Sequence, residues 1–420
     1  MRARGLVTLM SIAMLTAGAT PYAEAAPAHL ANDEAINYHE WSGPGYVTGR
    51  FDGLGLGPGG LRITHPAGTV EHSEPGLGTT KTYDYGTWTS PVFRPGFDAT
   101  QLIASWNART PAKTWLQVEA KARTSTGVET TWYVMGRWAS GDSDIQRTSV
   151  DGQSDGNASV DVDTLATKTG VTLRSYRLRV SLYREAGTRV TPTLSTLGAM
   201  TSNVPDRFDV RTTKPGVASG IELKVPEYAQ NIHKGQFPQY GGGGEAWCSP
   251  TSTEMVAEYW GRKPTAQQMS WIPSDYVDPA VVYAARNTFD YAYDGTGNWP
   301  FNTAYAASLG LRGHITRLHD LNELEGYIAR GIPVITSQSF LSSELDGAGY
   351  GTSGHIMVVV GFTAAGDVIV NDPASSSDAR VRNVYKRDQF EKVWQRTKRY
   401  TDTGSVAGGP GGVVYIVTPA

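Results

Sequence analysis

Regular alternation of apolar and polar residues in the first half of the chain sets the strongest limit on its fold. In the run Ser175–Leu182, every second residue is large and apolar, and the residues between them are arginine or serine. A period of two is that of a strand with one buried face. Similar strand-forming runs at Trp115–Ala122 and Thr131–Trp138 are separated by segments rich in Gly, Pro, Asn and Asp. The pattern predicts an all-β antiparallel sandwich over residues 38–200.

The second half mixes helical and strand patterns. Leu321–Arg330 carries apolar residues at helical spacing after Asp320, a good N-cap. Apolar strands at His355–Phe362 and Asp367–Val370 are separated by a short turn, which predicts a β-hairpin. Helices followed by antiparallel strands indicate an α+β domain over residues 225–420.

The N-terminus has the composition of an export signal. Two arginines precede the apolar stretch Leu6–Ala17, and Ala23–Ala25 provides the small residues of a cleavage site. We therefore expect a secreted, extracellular protein. The predicted boundaries are 1–25 for the signal peptide, 26–37 for a flexible N-terminal tail, 38–200 for the sandwich, 201–224 for a linker and 225–420 for the α+β domain.

Composition excludes several classes of partner. The formal net charge is -3 and charged residues are 18% of the chain, so no basic face for nucleic acid is expected. After the leader, no segment approaches the ~20 apolar residues of a membrane span. No zinc pattern or glycine-rich phosphate loop is present, and we expect no cofactor, no metal and a monomer. The Asp-rich residues 151–163 lack calcium-loop spacing and are interpreted as a solvated turn, with a metal as the open alternative.

The chain has one cysteine, Cys248. Exported proteins normally use cysteines in pairs, so a single thiol is a candidate nucleophile, and a buried inert thiol is the alternative. The residues Thr251–Trp260 predict a helix, with Ser249 as a candidate cap and Pro250 in its first turn. A thiol at a helix N-terminus is favoured as thiolate, the nucleophilic form.

Two residues downstream complete the pattern of a nucleophile, a base and an orienting carboxylate. His355 opens an apolar strand and is the candidate base, although a lone histidine there is more often structural. Asp372 follows the next strand and could fix the tautomer of the imidazole. Asn371 is its rival, and because neighbouring strand residues point to opposite faces, only one of them can serve. Gln230 could donate to an oxyanion together with the Cys248 amide.

These motifs together resemble a papain-superfamily group, the bacteriocin-processing-type cysteine peptidases (cysteine peptidase family thirty-nine) and their stand-alone secreted relatives. The likeness extends from Leu223 to Thr418 and includes the phrases Gly297–Asn302 and Gly331–Val334. It implies a papain-like fold and a peptide or protein substrate. The implied roles are Cys248 as nucleophile, His355 as base, Asp372 as orienter and Gln230 as oxyanion donor. The stretch between Gln230 and Cys248 is longer than in the transporter-linked members.

Three functions remain open from the sequence. The first is a secreted cysteine peptidase that works through a covalent acyl-enzyme. The second is a thiol amidase or acyltransferase acting on cell-wall peptides. The third is a surface-binding protein with an inactive peptidase-like domain, whose sandwich holds a cell-surface polysaccharide. Aromatic residues that could form a sugar-stacking face, with core packing as the alternative, are Trp41, Trp88, Trp106, Trp115, Trp132 and Trp138.

Overall fold

The computed structural model describes residues 34–420, and its first half consists of strands joined by turns. The strands are β1 (Ala35–Ser42), β2 (Arg50–Asp52), β3 (Leu54–Gly57), β4 (Gly60–Ile63), β5 (Gly68–Glu74), β6 (Thr79–Thr89), β7 (Gln101–Arg109), β8 (Thr114–Thr124), β9 (Tyr133–Trp138), β10 (Ala158–Asp161), β11 (Thr164–Thr167), β12 (Leu173–Glu185) and β13 (Thr193–Asn203).

These strands form two antiparallel sheets around a shared core. The first sheet has the order β10-β11-β7-β13-β4-β3, with β1 also paired to β13. The second has the order β2-β6-β12-β8-β9, with β5 also paired to β6. In β12, Leu178, Val180 and Leu182 are fully buried between the sheets, whereas Arg177 is exposed. Each such buried side chain contributes about 1.5–3 kcal/mol, and the predicted sandwich is confirmed.

Strand β1 begins inside the segment that the sequence predicts to be a flexible tail. Residues 35–37 pair with the end of β13, and Ile36 packs against buried apolar residues. The prediction was therefore wrong for residues 35–37, because a partner strand far along the chain leaves no local signal. Residues 1–33, which include the predicted signal peptide and most of that tail, lie outside the described residues.

The tryptophans of the sandwich serve packing rather than ligand stacking. Trp41, Trp88, Trp106 and Trp138 belong to the main core, and Trp115 is buried in a smaller cluster. Only Trp132 of the six is partly exposed, and the Arg179 guanidinium lies 4.3 Å from its ring centroid. The core interpretation is correct for five of the six, so these tryptophans do not form a broad sugar-binding face.

The second half contains five α-helices and one large sheet within the described residues. Its elements are α1 (Cys248–Tyr259), α2 (Pro279–Thr288), α3 (Trp299–Ser308), β14 (Leu311–Arg317), α4 (Leu321–Ala329), β15 (Val334–Phe340), β16 (Thr352–Phe362), β17 (Val368–Asn371), β18 (Arg382–Tyr385), α5 (Arg387–Gln395), β19 (Lys398–Tyr400), β20 (Val406–Gly408) and β21 (Val413–Pro419).

The large sheet is antiparallel and has the order β14-β21-β15-β16-β17-β18. It confirms the predicted α+β class and the hairpin of β16 and β17. The predicted cap of α4 is also present, because the Asp320 carboxylate accepts a hydrogen bond from the Glu323 amide at 2.9 Å. Within residues 34–420, every helix is too short or too polar to cross a bilayer.

The first sheet of the sandwich packs directly against the second half. The Asn107 amide side chain, on β7, makes two hydrogen bonds with the backbone of Gly313 on β14, at 2.7 and 2.9 Å. The Ser105 hydroxyl accepts another from the Ile315 amide at 3.0 Å. The outer surface of the second sheet therefore faces away from this junction.

The segment between the halves is anchored by a buried carboxylate. Glu325, on α4, accepts hydrogen bonds from the backbone amides of Gly216 and Ala218 at 3.0 and 2.9 Å. It also forms an ion pair of 2.7 Å with Arg387, and both side chains are buried. Glu325 thus ties the predicted linker to two elements of the α+β domain.

We expect Glu325→Ala to lower the free energy of unfolding by about 3–5 kcal/mol, because it removes the ion-pair partner of the buried Arg387 guanidinium. The matched control is Glu222→Ala, which removes a solvent-accessible ion pair with Arg382 and should cost about 1 kcal/mol or less. Urea unfolding of both variants measures the difference. Equal losses in the two variants would contradict the role of Glu325.

Candidate active site

Cys248 is the first residue of α1 and lines an open cleft. Its backbone N–H therefore has no acceptor within the helix. The helix begins three residues earlier than predicted, and Ser249 does not cap it. Instead, the Ser249 hydroxyl shares a hydrogen bond of 2.8 Å with the Tyr415 hydroxyl in the interior. Met255 and Val256 pack the helix against the sheet, and this packing fixes the position of the thiol at the helix N-terminus.

His355 lies on β16, beside the head of α1, and is buried. Its Nε2 lies 2.8 Å from Oδ1 of Asp372, and the Cys248 thiol is close enough to the ring to raise its pKa. Because Nε2 is engaged by the carboxylate, Nδ1 is the nitrogen left for the thiol. Burial alone would lower the pKa of His355, but Asp372 and Cys248 together raise it to about 10. The imidazole therefore carries its proton at neutral pH.

Asp372 is buried and holds four hydrogen-bond donors. Oδ1 accepts from His355 and from the Ala374 amide at 3.0 Å. Oδ2 accepts from the hydroxyls of Tyr350 and Tyr385, at 2.9 and 2.7 Å. Burial alone would raise the pKa of Asp372, but the His355 charge and these donors hold it below its ordinary value. The carboxylate stays ionised in the interior because every lone-pair direction is used.

Asn371 points to the other side of β17. Its side-chain amide donates to the carbonyls of Val225 and Pro226, at 3.3 and 3.0 Å. The alternation of strand residues thus separates the two candidates, and Asp372 is the one against the imidazole. Asn371 instead fixes the segment that leads to Gln230.

Gln230 begins a short 3₁₀ helix (Gln230–His233) and lines the same cleft as Cys248. Its Nε2 donates to the Glu245 carbonyl at 2.8 Å, which uses one of the two amide hydrogens and leaves the second. Glycines between Gln230 and Cys248 allow this long stretch of chain to turn tightly and pack closely. Gly243 has φ +124°, and a Cβ on Gly244 would lie 2.4 Å from the Gln230 carbonyl oxygen.

The cleft has a volume of about 1160 Å³. Residues 293–297 and 347–354 form much of its lining, together with the four predicted site residues Gln230, Cys248, His355 and, just beneath the surface, Asp372. Glycines are frequent in both segments, and glycine leaves room for a second backbone to approach closely.

The sandwich helps to hold one wall of this cleft. Asp290 is fully buried and accepts hydrogen bonds from the Ser149 amide of the sandwich and the Asn298 side chain, at 3.0 and 2.9 Å. Asp163, also from the sandwich, accepts the Trp299 amide at 2.8 Å. Burial raises the pKa of Asp163 to about 7. Its interpretation as part of a solvated turn was wrong, because its partner lies far away in sequence.

Two family models match the chain, and their matches do not overlap. Residues 37–202 match the peptidase C39 N-terminal domain, and residues 222–402 match the peptidase C39-like family. Both matches are to models of the C39 peptidase family, and together they support a C39 family cysteine peptidase. The second match contains all four residues that the sequence analysis placed in the site.

Comparison with solved structures found a candidate C39-like peptidase from Bacillus anthracis. It is 15% identical, with coverage of 48% of this chain and 98% of that one, at a TM-score of 0.28. No curated protein matched the sequence.

Proposed function

We propose that the protein is a secreted cysteine peptidase that hydrolyses peptide bonds through Cys248, His355 and Asp372. The observation that supports this best is the arrangement around His355. Nε2 is held by a buried carboxylate at 2.8 Å, and a thiol at a helix N-terminus is close enough to the ring to raise its pKa. Nucleophile, proton carrier and orienting group then act in series.

In the proposed reaction, the Cys248 thiolate attacks the substrate carbonyl carbon, and the carbonyl electron pair moves onto oxygen. The Cys248 amide and the second Nε2 hydrogen of Gln230 stabilise that oxyanion. The C–N bond then breaks, and His355 gives its proton to the leaving amine. Neutral His355 next takes a proton from water, whose oxygen attacks the thioester. The carboxylic acid product leaves, and the thiolate and imidazolium are restored.

The direct test is cleavage profiling of a peptide library by mass spectrometry under reducing conditions. We expect new peptide termini with the untreated protein and none after alkylation with iodoacetamide, because Cys248 is the only thiol in the chain. Cleavage that survives complete alkylation would contradict the proposal. Products in which an added amine replaces water would favour the acyltransferase alternative. Export through residues 1–25 stays a prediction of the sequence.

The role of Gln230 gives a separate prediction. We expect Gln230→Ala to lower kcat by about 10²–10³-fold, because it removes one oxyanion donor. Alkylation of Cys248 by iodoacetamide forms no oxyanion and should keep its original rate. The control is Gln239→Ala, an exposed position outside the cleft lining. A parallel fall in alkylation rate would point to a displaced thiol and would count against the donor role.

The tyrosine pair on Asp372 predicts a change in pH dependence. Tyr385→Phe removes the 2.7 Å donor to Oδ2, which should raise the pKa of Asp372 and cost about 1.5–3 kcal/mol of stability. Because its pKa is lowered, Asp372 stays ionised, and activity is retained, until the pH falls to that pKa. The acid limb of kcat/KM should therefore move to higher pH in the variant. Tyr350→Phe should act in the same direction. Exposed Tyr400→Phe should leave the profile unchanged, and an unmoved profile in the Tyr385 variant would be inconsistent with this role.

A further inference from the structure

The outer surface of the second sheet carries a group of positive charges that the proposed hydrolysis does not use. Five side chains form what we name the basic sheet face: Arg50, Arg94, Lys121, Arg123 and Arg177. They line two shallow depressions, one with Arg50 and the other with Arg94, Lys121 and Arg123, and Arg177 belongs to both. The five charges are therefore contiguous.

The strand register brings like charges together on this face. Arg177 on β12 lies directly opposite Lys121 on β8, and Arg123 lies two residues further along β8, opposite Ser175. Residues two apart on a strand share a face. Like charges directly opposite each other destabilise a sheet, so this arrangement works against the fold and calls for a ligand that offsets it.

The chain supplies little neutralisation at this place. Glu129 is the carboxylate in the depressions, and it lies 3.0 Å from Lys121. A hydrogen bond and the charge of Lys121 lower the pKa of Glu129, and Arg177 and Arg123 lower it further. Within residues 34–420, the other four cations of the face make no side-chain hydrogen bond or ion pair. The whole chain has a formal net charge of -3, so this cluster does not reflect overall composition.

Arg179, two residues after Arg177 on β12, is neutralised by a carboxylate, whereas Arg177 is not. Arg179 lies opposite Glu119 and forms two hydrogen bonds of 2.7 Å with its carboxylate. One pair along the strand is thus neutralised, and the next is left positive.

We propose that the basic sheet face binds an acidic polysaccharide. The backbones of adjacent strands stand about 4.8 Å apart, and residues two apart on one strand are about 6.6 Å apart. The cations are therefore anchored at a spacing that repeating carboxylates along a polymer can follow. Arginine also matches carboxylate geometry through paired hydrogen bonds. Of the six tryptophans considered in the sandwich, only Trp132 is partly exposed, and the Arg179 guanidinium covers its ring. Recognition at this face therefore rests on charge.

The location of the basic sheet face suits attachment of the protein to a polymer and not a part in catalysis. The first sheet packs on the peptidase half through Asn107 and Ser105, whereas the basic sheet face lies on the second sheet. A polymer bound there would leave the cleft accessible to substrate. This inference does not depend on the proposed hydrolysis, because binding needs no contribution from Cys248.

The test is binding of fluorescently labelled polygalacturonate to the full chain, measured by anisotropy over a series of salt concentrations. We expect binding that weakens as salt rises, and a loss of about tenfold or more in the Arg123→Ser/Arg177→Ser double variant. The charge-matched control is Arg262→Ser/Lys263→Ser, at exposed positions just beyond α1, which should bind as the original protein does. Because the first variant relieves repulsion, its thermal unfolding temperature should be unchanged or higher.

Three further probes distinguish the partner. Neutral dextran should not bind, and neither double-stranded DNA nor vesicles containing anionic phospholipid should bind as tightly as polygalacturonate. Equal weakening of polygalacturonate binding in both double variants would show that binding depends only on the overall charge of the protein. That result would overturn the proposal. Tighter binding to DNA or to vesicles, or no polygalacturonate binding by the original protein, would also overturn it.

Discussion

Replacing Cys248 with alanine should abolish peptide hydrolysis, with a fall in kcat of about 10⁴-fold or more. The alanine variant has no atom that can form the thioester, so the reaction loses its covalent route. Cys248 is partly exposed at the head of α1, and its immediate neighbours fix the helix through other contacts. The variant should therefore fold normally.

Two measurements make the Cys248 result decisive. Circular dichroism and urea unfolding should match the original protein, which separates lost chemistry from lost structure. Cys248→Ser should remain folded and nearly inactive, because a serine hydroxyl is far less nucleophilic than a thiolate. Hydrolysis by the alanine variant at a rate near that of the original protein would exclude Cys248 as the nucleophile.

The second large effect is expected from His355→Gln. Loss of the proton carrier should lower kcat by about 10²–10⁴-fold, and loss of the positive ring also removes the partner of Asp372. The side chain is buried against that carboxylate at 2.8 Å, so some loss of stability should accompany the loss of activity. His65→Gln changes an exposed histidine of the sandwich and should have neither effect. Similar activity in the two variants would rule out His355 as the base.

Short-range patterns predicted the framework of the molecule well. Alternation in Ser175–Leu182 identified β12, and helical spacing in Leu321–Arg330 identified α4, because each pattern reports which face of one element is buried. The same kind of reasoning placed Cys248 at a helix start and His355 on an apolar strand, although that strand begins three residues earlier than predicted, at Thr352. The geometry of the structure then brought Gln230, Cys248, His355 and Asp372 to one cleft.

Features that depend on distant partners were missed. Tyr350 and Tyr385 donate to Asp372, yet neither stands in a recognisable motif. Asp163 supports the cleft from the other domain, and its local neighbours suggested only a turn. Ser249 was expected to cap α1 but bonds to Tyr415. In each case, the deciding contact joins residues that are far apart in the chain, and local spacing carries no record of it.

The rate at which iodoacetamide alkylates Cys248, followed across pH, reports directly on the pairing of this thiol with His355. Cys248 is the only cysteine, so mass spectrometry of the intact protein reports this one site. Since the pKa of His355 is raised to about 10, the imidazolium persists at neutral pH and should keep its partner reactive there. We predict rapid alkylation at neutral and mildly acidic pH, and slower alkylation over the same range in His355→Gln, which lacks the neighbouring positive charge. Identical profiles in the two proteins would contradict the account.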